Sequence, residues 1–170
     1  MKQKNPLHIL KYVLFVFEVF ALFFIGDTAG ILPEILAAKP ALMVCAAIAI
    51  SLSGIKELPA MCFGVLCGLL MDFSRGGPYG FHALILAVSC YVCSLLVQKL
   101  FQKNLLSALM MTVLAIILVF LLQWFFFYVC QGFSGAGFAL VRYYGMMAAY
   151  TLAAAVPVYF LTRLIARIAR

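Results

Sequence analysis

The sequence has only five acidic residues, and Asp72 is the one that lies between an apolar run and a segment rich in glycine. It closes the apolar run GLLMD and is followed by Arg75 and by the segment GGPYG, which contains Gly77, Pro78 and Gly80. Glycine permits backbone angles closed to other residues and proline cannot continue a helix, so a tight turn is predicted after Asp72. Because a carboxylate in an apolar segment needs partners, we expect Asp72 to accept hydrogen bonds from this turn or from the N-terminus of the next helix, or to pair with Arg75.

Small residues precede Asp72 at a spacing of four, namely Ala60, Gly64 and Gly68. On an α-helix these positions share one face, and small side chains let a second helix backbone approach closely. Asp72 ends the same face and is therefore predicted to point into protein rather than lipid. Two roles remain open for it, a structural clasp between two helices and a direct contact with a partner or ligand.

Three further polar residues lie within or beside apolar runs: Glu18, Gln123 and Arg142. A carboxylate in the middle of a membrane helix costs roughly 2.5–3.5 kcal/mol on insertion scales, so we expect Glu18 to be protonated and hydrogen-bonded within the bundle or to a partner's helix. Gln123 is expected to form an interhelical hydrogen bond, and Arg142 to lie at the level of the lipid headgroups. No second titratable group is predicted at the depth of Glu18, which disfavours proton-coupled transport.

Neither catalysis nor metal binding is indicated by the reactive side chains. An intramembrane hydrolase or transferase needs clustered Ser, His and Asp or paired acids at one depth, whereas the two histidines and five acidic residues here are scattered. Cys90 and Cys93 form a C-x-x-C inside an apolar run without a second pair of ligands, so they are interpreted as small packing residues. We predict no enzyme activity, no cofactor, no metal and no disulfide.

Composition identifies the kind of element that must position these residues. Apolar residues make up 68% of the chain and charged residues 10%, which leaves too few charges for a water-soluble surface. The chain is therefore predicted to be an all-α integral membrane protein. Its net charge of +7 is attributed to loops on the cytoplasmic side rather than to nucleic-acid binding, because no basic helix lies outside the apolar runs.

A bundle of six transmembrane helices in one domain, residues 1–170, is the predicted architecture, since a span needs about 20 residues. The predicted spans are about 9–26, 36–53, 58–72, 80–98, 105–130 and 144–165. The second and third are short and form a hairpin, which either crosses the membrane or is re-entrant. The first apolar run is longer than that of a signal peptide and is expected to be retained.

Charge distribution predicts the orientation of these helices. With the N-terminus inside, nine of the twelve Lys and Arg residues fall on the cytoplasmic side and three fall outside. This asymmetry follows the positive-inside rule, so both termini are predicted to be cytoplasmic.

The segment PALMVCAAIAI, followed by GVLCGLLMDFSRGGPYGFHAL, resembles the rod shape-determining protein MreD family. Its members share a proline-led second helix, a G-x-x-x-G-L-L-x-D helix, a Gly/Pro turn and an LG-x-x-AL start of the next span. In this sequence Tyr79 stands where leucine is frequent, and His82 where Asn or His is found. Length, six spans with cytoplasmic ends and the lack of a soluble domain are similar as well.

The resemblance implies a non-enzymatic subunit of the bacterial cell-elongation machinery, in the cytoplasmic membrane. Its implied partners are MreC, a single-span membrane protein, and through it MreB, the polymerase RodA and a class B penicillin-binding protein, which build the side-wall peptidoglycan. The family is also similar in fold to the substrate-binding subunits of energy-coupling-factor vitamin transporters. The alternative function is therefore a small-solute transporter subunit, with an outward-open cavity lined by Glu18, Gln123 or Arg142. Self-association through the small-residue faces stays open.

Overall fold

The computed structural model describes residues 6–28, 40–75, 80–99, 105–126, 130 and 145–168. Within these residues the chain is all-helical and forms six α-helices. They are α1 (Pro6–Asp27), α2 (Leu42–Leu52), α3 (Glu57–Arg75), α4 (Phe81–Lys99), α5 (Leu105–Trp124) and α6 (Gly145–Ile168).

The short helix α2 lies at the centre of the bundle and contacts the other five helices. All eleven of its residues are buried, as expected for a helix that is apolar on every side. It begins at Leu42 rather than near residue 36, because Pro40 and Ala41 are not helical and residues 36–39 lie outside the described part of the chain. At 1.5 Å per residue its helical part is only about 16 Å long.

Successive helices run in opposite directions along the bundle. Asp27 and Pro40 line one cavity at the end where α1 finishes, whereas the Ser53 carbonyl after α2 accepts a hydrogen bond from Lys11 near the start of α1. With its flanking residues, α2 therefore connects the two ends of the bundle. Gln98 at the end of α4 donates to the carbonyl of Ile55 just before α3, so these two helices are antiparallel as well.

Helix α3 is longer than predicted from the sequence. The span predicted over about 58–72 lies within α3, which covers Glu57–Arg75 and has nineteen residues. The polar residues Asp72 and Ser74 do not end the helix because both make hydrogen bonds to neighbouring segments. The fifth span was predicted to reach about residue 130. The α-helix ends at Trp124, residues 125–126 continue as π-helix, and residues 127–129 lie outside the described part of the chain.

Three of the described helices, α3, α4 and α6, are long and apolar enough to cross a membrane. Large apolar side chains also cover the outside of the bundle, for example Phe17, which is 73% exposed, and Leu106, which is 74% exposed. Extended exposed apolar surface of this kind is rare on soluble monomers and is typical of a lipid-facing surface. The fold is therefore that of a helical membrane protein whose core is built around α2.

Candidate functional site

The glycine-lined face of α3 packs directly against the backbone of α4. A Cβ atom added to Gly64 would lie 2.6 Å from the carbonyl oxygen of Leu86, and one added to Gly68 would lie 2.3 Å from Cα of Ala83. Both distances fall below 3.0 Å, the limit that real Cβ atoms essentially never cross. Glycine is therefore required at both positions for the two helices to approach this closely, and α4 occupies the groove expected from the spacing of small residues.

Asp72 caps the N-terminus of α4 from the last turns of α3. Its carboxylate accepts hydrogen bonds from the backbone N–H groups of Gly80 at 2.9 Å, His82 at 3.2 Å and Ala83 at 3.4 Å. The first turn of a helix has N–H groups without partners inside the helix, and its dipole favours an anion there. The Asp72 side chain is 1% exposed. Its buried carboxylate therefore finds hydrogen-bond donors in the N–H groups at the start of α4, and these N–H groups find an acceptor in the carboxylate.

Gly80 lies in the turn just before α4, next to the backbone N–H groups that bond to Asp72. Its φ angle is +98°, in a region that side chains with a Cβ rarely adopt. The Gly80 N–H donates to Oδ2 of Asp72, while the backbone N–H of His82 donates to Oδ1. Both oxygens of the carboxylate are thereby used within this segment.

His82 is a member of the site that was not among the predicted site residues. Its Nδ1 atom lies 2.6 Å from Oδ1 of Asp72, and the ring is 4% exposed. A carboxylate only accepts hydrogen bonds, so Nδ1 carries the proton and donates it to Asp72. Nε2 is buried and has no hydrogen-bond partner among the described residues. The family resemblance marks position 82 as one where Asn or His is found, but neither this nor its place at the start of the next apolar run could show its pairing with Asp72.

Some of the site residues predicted from the sequence lie outside the described part of the chain. Gly77, Pro78 and Arg142 lie outside the described residues, and so does the side chain of Arg75. The proposed pairing of Arg75 with Asp72 therefore stays a prediction. What the structure brings together is Gly64, Gly68 and Asp72 on α3 with the first two turns of α4.

Glu18 lies in a second buried polar contact, between α1 and α6. Its Oε1 atom is 2.5 Å from the hydroxyl of Thr162, which is also 3.0 Å from the carbonyl oxygen of Val158. Thr162 has one hydroxyl proton, and a carbonyl can only accept, so a neutral Glu18 that donates to Thr162 satisfies both contacts. The other carboxyl oxygen of Glu18 is buried without a partner among the described residues, an arrangement that costs less for a neutral acid than for an anion.

The sequence did not indicate Thr162 as the partner of Glu18. A residue count from the predicted helix ends instead places Tyr91, Thr112 and Thr151 at about the depth of Glu18. Thr151 instead accepts a hydrogen bond from the backbone N–H of Ala41 and donates one to the carbonyl of Met147. Because α6 extends to Ile168, three residues beyond the predicted end, depths counted from that end were shifted.

Substitution of the Glu18–Thr162 contact gives a direct test of this protonation state. Thr162→Val is expected to lower the free energy of unfolding by about 1–3 kcal/mol, because it leaves the buried Glu18 carboxyl without a partner. Glu18→Gln is the matched control and is expected to change it by less than about 0.5 kcal/mol, since an amide can also donate to Thr162. Both values are measured by denaturant unfolding in mixed micelles, and a Glu18→Gln effect as large as that of Thr162→Val would contradict a neutral Glu18.

Gln123 lies near the end of α5, and its side-chain oxygen Oε1 is buried. No hydrogen-bond partner for this oxygen is found among the described residues. The interhelical hydrogen bond expected from the sequence therefore stays a prediction for this atom.

A cleft of about 220 Å³ lies at the end of the bundle where α1 and α3 finish and α2 begins. Its lining includes Leu22, Phe23, Met71, Asp27 and Ser74. The Ser74 hydroxyl donates to Oδ1 of Asp27 at 2.5 Å, so a polar pair lies beside the apolar side chains of the cleft. Glu18 and Gln123 do not line it.

The described residues contain no group of three or more His, Cys, Asp or Glu side chains placed to hold a metal ion. The Asp72 carboxylate on α3 bonds to the backbone and the ring of His82 in the first turn of α4. The Asp72–His82 pair therefore holds α3 and α4 together.

A family model described as rod shape-determining protein MreD matches residues 7–167. Neither a curated protein nor a solved structure matches this chain.

Proposed function

Because this chain belongs to the rod shape-determining protein MreD family, we propose that it is a non-enzymatic membrane subunit of the bacterial cell-elongation machinery. The observation that carries the proposal is the family match, which extends over residues 7–167 and so includes all six helices but for the ends of α1 and α6. In this role the chain scaffolds MreC and MreB and the peptidoglycan synthases that extend the side wall. Its contribution is to present helix faces in fixed positions rather than to transform a substrate.

The geometry at Asp72 supports the non-enzymatic part of this proposal. A catalytic carboxylate needs a free oxygen within hydrogen-bond reach of a reacting group. Asp72 is 1% exposed, and both of its oxygens accept hydrogen bonds from the start of α4. The site is therefore suited to hold α3 and α4 in one arrangement, on which a scaffold depends.

We further propose that all six helices cross the cytoplasmic membrane, with both termini in the cytoplasm. The alternating helix directions support this topology, since they put the start of α1 and the end of α6 at the same end of the bundle. The central helix α2 is short, but Pro40 and Ser53 at its flanks reach the two ends of the bundle, which favours a crossing over a re-entrant hairpin. The excess of Lys and Arg at that end supports cytoplasmic termini.

The proposed partners are MreC, which has a single span, and through it MreB, RodA and a class B penicillin-binding protein. A single-span partner can bind only through its one helix and the segments next to the membrane. Lipid-facing helices and the ends of the bundle are therefore the surfaces available to it on this chain.

The cleft at Asp27 gives no support to the alternative function of a vitamin-type transporter subunit. Its volume of about 220 Å³ is below that of ordinary small-molecule sites, which is about 300–1,000 Å³. The alternative predicted a cavity lined by Glu18, Gln123 or Arg142, whereas Glu18 is paired with Thr162 and neither Glu18 nor Gln123 lines the cleft. We therefore retain the scaffold as the proposed function.

Affinity purification of the tagged chain from native membranes tests this proposal. The expected result is recovery of MreC together with other proteins of the elongation machinery, and no saturable uptake of a solute by vesicles that contain the chain. Recovery of an ATPase module with a transmembrane coupling subunit, and of no cell-wall proteins, would contradict it.

A further inference from the structure

Two arginines lie on the outer side of α6. Arg163 and Arg167 are both exposed and are one helical turn apart, which is about 6 Å along the helix axis. Large apolar side chains accompany them on this side of the helix, since Phe160, Leu164 and Ile168 are each more than half exposed. The two guanidinium groups therefore stand on a surface that otherwise suits the hydrocarbon of a membrane.

The depth of Arg163 makes its exposure costly. It follows Thr162, whose hydroxyl contacts the carboxyl group of Glu18 in the middle of α1, and α6 continues for five residues beyond it, or about 8 Å. Cα–Cβ bonds tilt towards the N-terminus of a helix, which for α6 is the opposite end of the bundle, so they do not help Arg163 to reach the nearer surface. A charged side chain on the lipid side at this depth needs an anion beside it.

The helix dipole explains only one of the two arginines. Arg167 is the basic residue in the last turn of α6, where the dipole favours a cation. This effect falls off within the last turn, so it does not account for Arg163.

Acidic side chains of the chain itself do not supply the anion. The whole sequence has five of them, namely Glu18, Asp27, Glu34, Glu57 and Asp72. Glu18 and Asp72 are buried and are hydrogen-bonded to Thr162 and to the start of α4. Asp27 ends α1 at the opposite end of the bundle, and Glu34 belongs to the connection that joins it to Pro40 at that same end. Glu57 begins α3, which packs mainly on α2 and α4, whereas α6 packs on α1, α2 and α5.

The chemistry of the arginine pair defines the anion. A guanidinium group binds a phosphate through two parallel hydrogen bonds and is more weakly hydrated than an ammonium group. In the predicted orientation the end of α6 is cytoplasmic and lies with nine of the twelve Lys and Arg residues, and such a basic surface attracts anionic lipids. A phospholipid also brings acyl chains, for which the apolar side chains beside the arginines are suited.

We propose that Arg163 and Arg167 bind the phosphate group of one anionic phospholipid of the cytoplasmic leaflet, with its acyl chains along Phe160 and Leu164. The inference goes beyond the proposed function and takes from it only the orientation of α6. A bound phosphate offsets the charge of Arg163 and so fixes the depth of α6 in the membrane.

Native mass spectrometry of the full-length chain in detergent tests the inference, with phosphatidylglycerol as the anionic probe and phosphatidylethanolamine with the same acyl chains as the zwitterionic one. A C-terminal tag on every chain keeps the terminal carboxylate away from α6. The unaltered chain is expected to bind its first phosphatidylglycerol at least about fivefold more tightly than phosphatidylethanolamine, the scale of one basic residue at an anionic surface. Arg163→Gln is expected to lower the phosphatidylglycerol affinity about fivefold, and Arg163→Gln combined with Arg167→Gln more than about tenfold.

Lys56→Gln is the matched control, because Lys56 is an exposed cation at the same end of the bundle but lies between α2 and α3. Its phosphatidylglycerol affinity is expected to stay within about twofold of that of the unaltered chain. Thermal unfolding in the same detergent is the second measurement. Phosphatidylglycerol is expected to raise the Tm of the unaltered chain more than that of the double arginine variant, since a ligand of the folded chain stabilises it.

Three outcomes would overturn the inference while leaving the proposed function in place. They are equal affinity of the unaltered chain for the two lipids, a loss in Lys56→Gln as large as in the arginine variants, and unchanged phosphatidylglycerol affinity of the double variant. If that double variant also binds MreC more weakly, an acidic segment of the partner is the occupant of this surface. Absence of any complex between MreC and the unaltered chain would contradict the proposed function alone. If the double variant does not fold, the comparison of Arg163→Gln with Lys56→Gln decides the question.

Discussion

Gly68→Leu is expected to force α3 away from α4 and to lower the free energy of unfolding by about 3 kcal/mol or more, the upper range for overpacking. The first side-chain carbon alone would lie 2.3 Å from Cα and 2.4 Å from the backbone nitrogen of Ala83. These neighbours are backbone atoms in the first turn of α4, so they cannot move aside without moving the helix. Denaturant unfolding in mixed micelles measures the change.

A matched control for this substitution is Gly145→Leu at the start of α6. An added Cβ at Gly145 meets nothing within 4 Å among the described residues, and the residue is exposed. Leucine has the higher helix propensity, so this variant is expected to keep or slightly raise the stability. Equal effects of Gly68→Leu and Gly145→Leu would show that the close approach of α3 and α4 does not limit stability.

Asp72→Ala is expected to lower the free energy of unfolding by about 2–4 kcal/mol and to loosen the start of α4. It removes the acceptor of three backbone N–H groups and of the His82 ring, and it leaves these buried donors without a partner. Loss of an N-cap costs about 0.5–2 kcal/mol, and each buried donor left unpaired adds to it. Unfolding in mixed micelles gives the size of the effect, and hydrogen exchange at residues 80–83 gives its location.

A double-mutant cycle with His82→Ala separates the two parts of this effect. Most of the hydrogen bonds of Asp72 come from the backbone, so His82→Ala alone is expected to cost about 1–2 kcal/mol. Asp72→Ala is expected to cost less in the His82→Ala background than in the unaltered chain, because the shared contact is already lost. Purely additive effects would contradict the direct bond between the two side chains.

The contact of Asp72 with the next helix was predictable from the sequence, since it depends on short-range order. A carboxylate at the end of a small-residue face, followed by a Gly/Pro segment, indicates both where the side chain points and which amides lie nearby. The packing of Gly64 and Gly68 followed from the same spacing. The resemblance carried by this segment was confirmed by the family match over residues 7–167.

Features that depend on the relative position of distant segments were not predictable in the same way. The Glu18–Thr162 contact joins residues 144 positions apart, and its depth depends on where α6 ends. His82 pairs with Asp72 only because two helices pack in one particular register. Helix α3 extends past the predicted span because its last residues are satisfied by their neighbours, and α2 is enclosed by protein rather than lipid, which a count of apolar residues does not reveal.

The most direct measurement of the central claim is the shape of a rod-shaped bacterium whose only copy of this chain carries Asp72→Ala at native expression. The claim is that the α3–α4 contact built on Asp72 holds the scaffold together. It predicts shortened, widened or spherical cells, although the variant is still found in the membrane and Glu57→Ala cells stay rod-shaped. Normal rods with the Asp72→Ala chain inserted at the wild-type level would contradict it.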